Sequence, residues 1–180
     1  MFAALVDYHG GGAAAALEPL SRHIEAWEWT LATFIGAGVG ACYRGDRLYD
    51  SPQVQAMVQK WTAFWLQYRR ILTEDILHLR RPTVGGWDAI MHYSNINHHP
   101  EDAVTALAMV FNPTPDSVTA NLTLPLYYTG IEEPFVDVAE AEGKPIRLPL
   151  SRDYHAEVPI KLPPKGITYF VVTRASALAH

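Results

Sequence analysis

Cysteine is almost absent from this chain: one residue, Cys42, in a sequence of 180. A single thiol forms no internal disulfide framework and supplies no cysteine-based zinc site. Its place in the apolar run Val39-Gly40-Ala41-Cys42-Tyr43 suits a buried structural thiol better than a nucleophile. Charge is sparse too, at 18% of residues, and 19 acidic against 14 basic side chains give a net charge of −5 with no Lys/Arg run. Such a surface has no electrostatic footprint for DNA or RNA, so nucleic acid is not expected as a partner. Neither is a membrane, a metal or a cofactor. The N-terminus lacks a positively charged start, and its apolar stretch stops at Asp7, so it does not read as a secretory signal and the compartment is left open. Gly10-Gly11-Gly12 has no Lys-Ser/Thr after it and lacks the GxGxxG spacing, which removes the phosphate-loop reading.

What the chain does have is 49% hydrophobic residues, arranged in one grammar up to about residue 74 and another from about residue 75 onward. Phe2-Ala3-Ala4-Leu5-Val6 is a continuous apolar run of the kind found in parallel strands covered on both faces. It gives way at once to Asp7-Tyr8-His9-Gly10-Gly11-Gly12. A chain rarely begins with a buried strand that already feeds a glycine-rich loop, so further sequence is expected upstream of Met1. A helix is predicted over about Ala14–Ile35, with Leu17, Leu20, Ile24, Trp27, Leu31 and Phe34 on one stripe. Pro19 fits only its first turn, which places the ordered start near Leu17 or Glu18. Gly36-Ala37-Gly38 ends it, Val39–Tyr43 reads as a second short strand, and Arg44–Asp50 as a polar loop. Ser51-Pro52 is a cap followed by the proline of a first helical turn. The helix beyond, to about Thr73, repeats Val54, Met57, Val58, Trp61, Phe64, Trp65, Tyr68, Ile71 and Leu72 at the helical period.

Strand, glycine loop, helix, strand, polar loop, helix is the order of consecutive βα units. A closed (β/α)8 barrel needs eight such units and about 250 residues, and places its active site in the loops after the strands. Beyond residue 75 the period shortens to two. Strands are predicted at Ile76–Arg80, Trp87–Tyr93, Ala106–Phe111, Val118–Leu124, Phe135–Val138, Ile146–Leu148, Glu157–Leu162 and Ile167–Thr173, separated by Pro/Gly/Asn turns. That pattern implies an antiparallel sandwich or jelly roll. The predicted class is therefore α+β in two parts, with residues 1–74 a strand–helix–strand–helix segment and residues 75–180 a β-sandwich. Asn97-His98-His99-Pro100-Glu101-Asp102 carries metal-ligating side chains but reads as a solvated hairpin.

A Trp- and Tyr-rich helix running into "ILTEDILHLRRP", then Trp87-Asp88 and "ALAMVFNPT", resembles the junction between barrel and C-terminal β-sandwich in retaining α-glycosidases, nearest to the α-galactosidase-like families. The likeness runs from Phe2 to about Val172. It implies that residues 1–74 are the last two βα units of a (β/α)8 barrel and that carbohydrate is the ligand of the complete protein. In those families the nucleophile and the acid/base are carboxylates on earlier barrel strands. Nothing here corresponds to those strands, so no catalytic residue carries over.

The candidate substrate-binding residues are Asp7, His9 and Gly10 in the first loop, and Tyr43, Arg44 and Asp46 in the second. His9 can hydrogen-bond sugar hydroxyls; Tyr43 can stack on a sugar face, and Arg44 can hold a hydroxyl or carboxylate. Each has a plainer reading. Asp7 would accept hydrogen bonds from the glycine loop's own N–H groups, and Arg44 would pair with Asp46 or Asp50. Two functions follow for comparison. The first is a C-terminal part of a glycoside hydrolase-like protein, without its catalytic carboxylates and inactive alone. The second is a non-catalytic carbohydrate-binding or structural module, with the N-terminal βα half as a surface for a partner chain.

Overall fold

The structure is a computed structural model that describes residues 17–40, 47–81 and 85–175, together with the backbone of Phe2–Ala4 and Cys42–Arg44. Its contacts divide the chain into residues 1–72 and 73–180, taken in turn.

In the first unit, β1 (Phe2–Ala4) and β2 (Cys42–Arg44) pair in parallel, with Ala3 opposite Tyr43 and Ala4 opposite Arg44. The second strand is shorter than its apolar run predicts, for Val39 and Gly40 lie outside it and are exposed. Helix α1 spans Ile24–Gly36 and begins later than Leu17 or Glu18. Pro19 is the cause: its backbone is extended (φ −73°, ψ 132°) and leads into a 3-10 turn at Leu20–Arg22. A proline also pushes the residue before it out of helical geometry. The helix ends as its glycines predict. Gly38 takes the left-handed φ of 65°, its N–H donates to Ile35 O and that of Val39 to Phe34 O, which satisfies carbonyls that the last turn leaves open.

Helix α2 (Pro52–Leu72) starts at its predicted cap, where Ser51 Oγ accepts from Val54 N at 3.3 Å. Val54, Met57, Trp61, Phe64, Tyr68, Ile71 and Leu72 are buried on its stripe, whereas Trp65 is only half-buried. Trp61 meets Phe64 edge-on with centroids 5.4 Å apart, and Phe64 meets Tyr68 at 5.1 Å. Glu28 joins the helices, its Oε1 accepting from Lys60 Nζ at 2.7 Å and from Trp61 Nε1 at 3.1 Å.

The second unit is the β-sandwich. One sheet has six antiparallel strands in the order β3 (Asp75–His78), β4 (Asp88–Tyr93), β5 (Val104–Phe111), β10 (Ile167–Arg174), β7 (Phe135–Glu140), β8 (Ile146–Pro149). The other pairs β6 (Val118–Pro125) with β9 (His155–Leu162). Along β9, Ala156, Val158, Ile160 and Leu162 are buried and the residues between them exposed, the alternation that sets one face on a core. They pack with Leu122 and Leu124 of β6 against Met91, Ala108, Val110, Val138 and Phe170 of the larger sheet. The central strand β5 is buried on both faces from Thr105 to Val110. Pro159, midway along β9 and opposite Asn121, is accommodated because β9 has a neighbour on one side only.

Asn112 closes the lower end of this core. It is fully buried, its Nδ2 donates to Asp116 O and to Pro163 O, both at 2.8 Å, and its Oδ1 accepts from Thr114 N at 3.1 Å and Thr114 Oγ1 at 2.7 Å. One side chain thereby ties the turn after β5 to the turn after β9.

Candidate functional site

Parallel strands send their following loops out from the same end. β1 and β2 are parallel and in register through Ala4 and Arg44, so the C-terminal ends of both strands lie at one end of the pair. Tyr43 and Arg44 are in β2 itself, with their side chains outside the described residues. Asp7, His9, Gly10 and Asp46 also lie outside them.

The described flanks of these loops are fastened to each other. Arg47 donates from Nε and Nη2 to the Glu18 carboxylate at 3.2 and 3.1 Å. Asp50 Oδ2 accepts from Ser21 N at 2.9 Å and from Ser21 Oγ at 3.0 Å. Trp27, fully buried, donates from Nε1 to Leu48 O at 3.1 Å. The backbone N–H of Ser21 is the main cause that holds the Asp50 carboxyl below its ordinary value. Asp50 is thus an anion occupied in joining one loop to the other, which favours a structural role over a reacting one. Its Oδ1 is shielded from solvent and has no hydrogen-bond partner among the described residues. Sequence reasoning could have anticipated this link only from the charges of Glu18, Arg47 and Asp50, which have no fixed spacing.

A concave surface lies at one end of the sandwich, an open cavity of about 490 Å³ lined by Ile96, Asn97, Gly130, Glu132, Glu133 and Arg174. Arg174, at the end of β10, donates from Nε to Glu133 Oε1 at 2.9 Å. That guanidinium is the largest cause holding the Glu133 carboxyl below its ordinary value. Gly130 has a φ of 74°, and a Cβ on it would stand 2.7 Å from Asn97 Nδ2, so the floor of the cavity requires glycine. Sequence reasoning missed this surface, since its residues come from two separate loops and a strand end.

A depressed carboxyl stabilises the fold above its unfolded value and loses that contribution as pH falls through the folded one. For Glu133 the ordinary value is 4.5, so its contribution is complete above that pH and is lost below it. Melting temperature should therefore fall more steeply below pH 4.5 in the native protein than in Glu133→Gln. Parallel curves would remove the Arg174 pair as a contributor.

Among the described residues there is no group of three or more His, Cys, Asp or Glu able to hold a metal ion, and no helix is long and apolar enough to cross a membrane. His99 of the histidine hairpin lies 3.8 Å from Glu101 instead.

No protein-family model and no curated protein matches the sequence. Solved structures do match the fold, α-galactosidase-type glycoside hydrolases among them. α-Galactosidase I from Mortierella vinacea aligns with 97% of this chain at a TM-score of 0.56 and 8% identity. An enzyme of Bacillus halodurans described as an α-N-acetylgalactosaminidase aligns with 82% at 0.54 and 12% identity. An α-amylase from Anoxybacillus aligns with 88% at 0.54 and 14% identity. This chain spans 39%, 30% and 35% of those three chains, respectively. At these identities the likeness is one of fold.

Proposed function

We propose that this chain is the C-terminal part of a glycoside hydrolase-like protein that acts on carbohydrate. On this reading, residues 1–74 are the last two βα units of a (β/α)8 barrel, and residues 75–180 are the C-terminal β-sandwich. The observation that carries the proposal is the chain order itself: a parallel strand pair with a helix after each strand, then directly an antiparallel sandwich. Fold neighbours named as α-galactosidase, α-N-acetylgalactosaminidase and α-amylase support the same substrate class. Barrel enzymes place substrate groups in the loops after the strands, so Asp7, His9, Gly10, Tyr43, Arg44 and Asp46 would form part of a sugar-binding rim.

Glycoside hydrolysis needs two carboxyl groups flanking the scissile bond, about 5 Å apart for retention and up to roughly 9.5 Å for inversion. Of the acids in these two loops, Asp50 is already committed to Ser21, and the catalytic pair would come from other barrel strands. The chain alone should therefore leave nitrophenyl α- and β-galactosides and glucosides intact. Turnover that vanished in Asp7→Asn or Asp46→Asn would sink this reading and make the chain a catalyst in its own right. Reading the genomic DNA upstream of Met1 tests the architecture separately: an open frame encoding six further βα units is the expected result, and a stop codon with no such frame nearby is the contrary one.

A further inference from the structure

Tyr127 and Tyr128 sit on a 3-10 turn between β6 and β7 and are 65% and 50% exposed, a wasteful place for two large rings unless something covers them. They belong to a row. Tyr93, at the end of β4, stacks on Tyr128 with centroids 5.4 Å apart and planes 30° from parallel. Tyr127 stands nearly perpendicular to Tyr128 and to Tyr154, at 83° and 79° and again 5.4 Å from each.

The backbone beneath this row is held firmly. Asn95 Nδ2 donates to Tyr128 O at 3.0 Å, Ile96 N to Thr129 O at 2.9 Å, Leu126 N to Tyr154 O at 2.7 Å, and the buried Thr129 Oγ1 to Leu126 O at 2.6 Å. Tyr154 has a φ of 59°, a left-handed conformation that costs an aromatic residue free energy and is kept where the surroundings enforce it. It carries the Tyr154 ring to Tyr127. The same turn continues through Gly130 into the cavity of Asn97, Glu132, Glu133 and Arg174.

We propose that this end of the sandwich is a carbohydrate-binding surface, with the Tyr127 and Tyr128 rings receiving the C–H face of a pyranose and the adjoining cavity receiving its hydroxyls. Rigid aromatic rings provide apolar area at little entropic cost, and the phenol groups give the rim a wet edge. Carboxylates at Glu132 and Glu133 against one guanidinium, itself paired with Glu133, disfavour an anionic ligand. They suit a neutral molecule rich in hydroxyl donors, together with the Asn97 amide. The choice of sugar as the ligand rests on the carbohydrate reading of the whole protein; the location rests on the tyrosines.

The test is titration of the 180-residue chain with methyl α-galactopyranoside and with maltose, followed by NMR of the tyrosine ring protons. Either sugar should shift the rings of Tyr127 and Tyr128. The double variant Tyr127→Ala/Tyr128→Ala should bind about tenfold more weakly or worse, because each ring contributes aromatic contact of that order, while Tyr127→Phe should bind nearly as well. Tyr127→Phe should melt like the native chain, and the double variant should still unfold cooperatively, somewhat lower for the loss of the ring contacts to Tyr93 and Tyr154. Sugar binding unchanged in the double variant would overturn this surface and leave the carbohydrate reading standing. Absence of binding by either sugar would overturn the surface too, and the upstream gene sequence would then decide the broader reading independently. Self-association abolished by the double variant would assign the row to protein contact and overturn the proposal.

Discussion

Trp61→Ala is expected to destabilise the protein by about 3–5 kcal/mol, the range for deleting a buried tryptophan whose cavity does not collapse. Only 4% of the residue is exposed, its ring packs edge-on against Phe64, and its indole N–H reaches Glu28 on the neighbouring helix. Removal therefore opens a void and takes one of two donors from the Glu28 carboxylate, the other being Lys60. The sequence stripe assigns Trp65 the same weight. The structure does not, for Trp65 is half-buried, and Trp65→Ala should cost clearly less than Trp61→Ala. Gln59, exposed, should be nearly neutral as alanine, within about 0.5 kcal/mol. Urea unfolding followed by far-ultraviolet circular dichroism measures all three. Equal effects at positions 61 and 65 would show that the difference in burial does not govern this helix.

Asn112→Ala should be the next most damaging, at about 1–3 kcal/mol. The substitution takes one donor from each of the carbonyls of Asp116 and Pro163, which keep Thr114 Oγ1 and Gly166 N respectively, and leaves the Thr114 N–H without its acceptor. An unmet buried polar group costs about 1–3 kcal/mol, but Asp116 and Pro163 are exposed residues and water can replace part of what is lost. Asn112→Asp separates the two halves of the network. It keeps the acceptors for Thr114 and replaces the double donor by a carboxylate facing two carbonyls, so it should be at least as harmful as alanine at neutral pH and should recover as the acid protonates. If alanine proved harmless by thermal melting, the turn contacts would be dispensable.

The two cases mark what a sequence shows and what it hides. Helix α2 was legible from period alone, because a stripe of large side chains fixes which face is covered, and β9 was legible because alternation leaves a sheet one core face. The onset of α1 was not, since Pro19 stops the helical run just where the apolar stripe continues through Leu20. The work of Asn112 was hidden for a different reason: its partner Pro163 is 51 residues away, and only the closing of the sandwich brings the two together. The tyrosine row is of the same kind. Tyr93, Tyr127, Tyr128 and Tyr154 share no spacing, and meet because β4, β6 and β9 begin or end on one side of the molecule. For the candidate substrate-binding residues the sequence pointed to the chemistry of Asp7, His9, Gly10, Tyr43, Arg44 and Asp46. The described structure adds the parallel β1–β2 pair, which contains Tyr43 and Arg44, and the Glu18–Arg47 and Ser21–Asp50 links.

Pro159 has one more effect. A strand with a bare side offers its amide hydrogens and carbonyls to any strand from another molecule, the first step toward shared sheets and aggregates. In β9 the row of amide hydrogens is broken in its middle, because proline has none. At the margin of the larger sheet, β8 is only four residues long, carries Arg147 and ends on Pro149. An incoming strand would find neither a continuous ladder nor a flat apolar edge at these places. The sandwich can accordingly be crowded against copies of itself without being drawn into their sheets along β8 or β9.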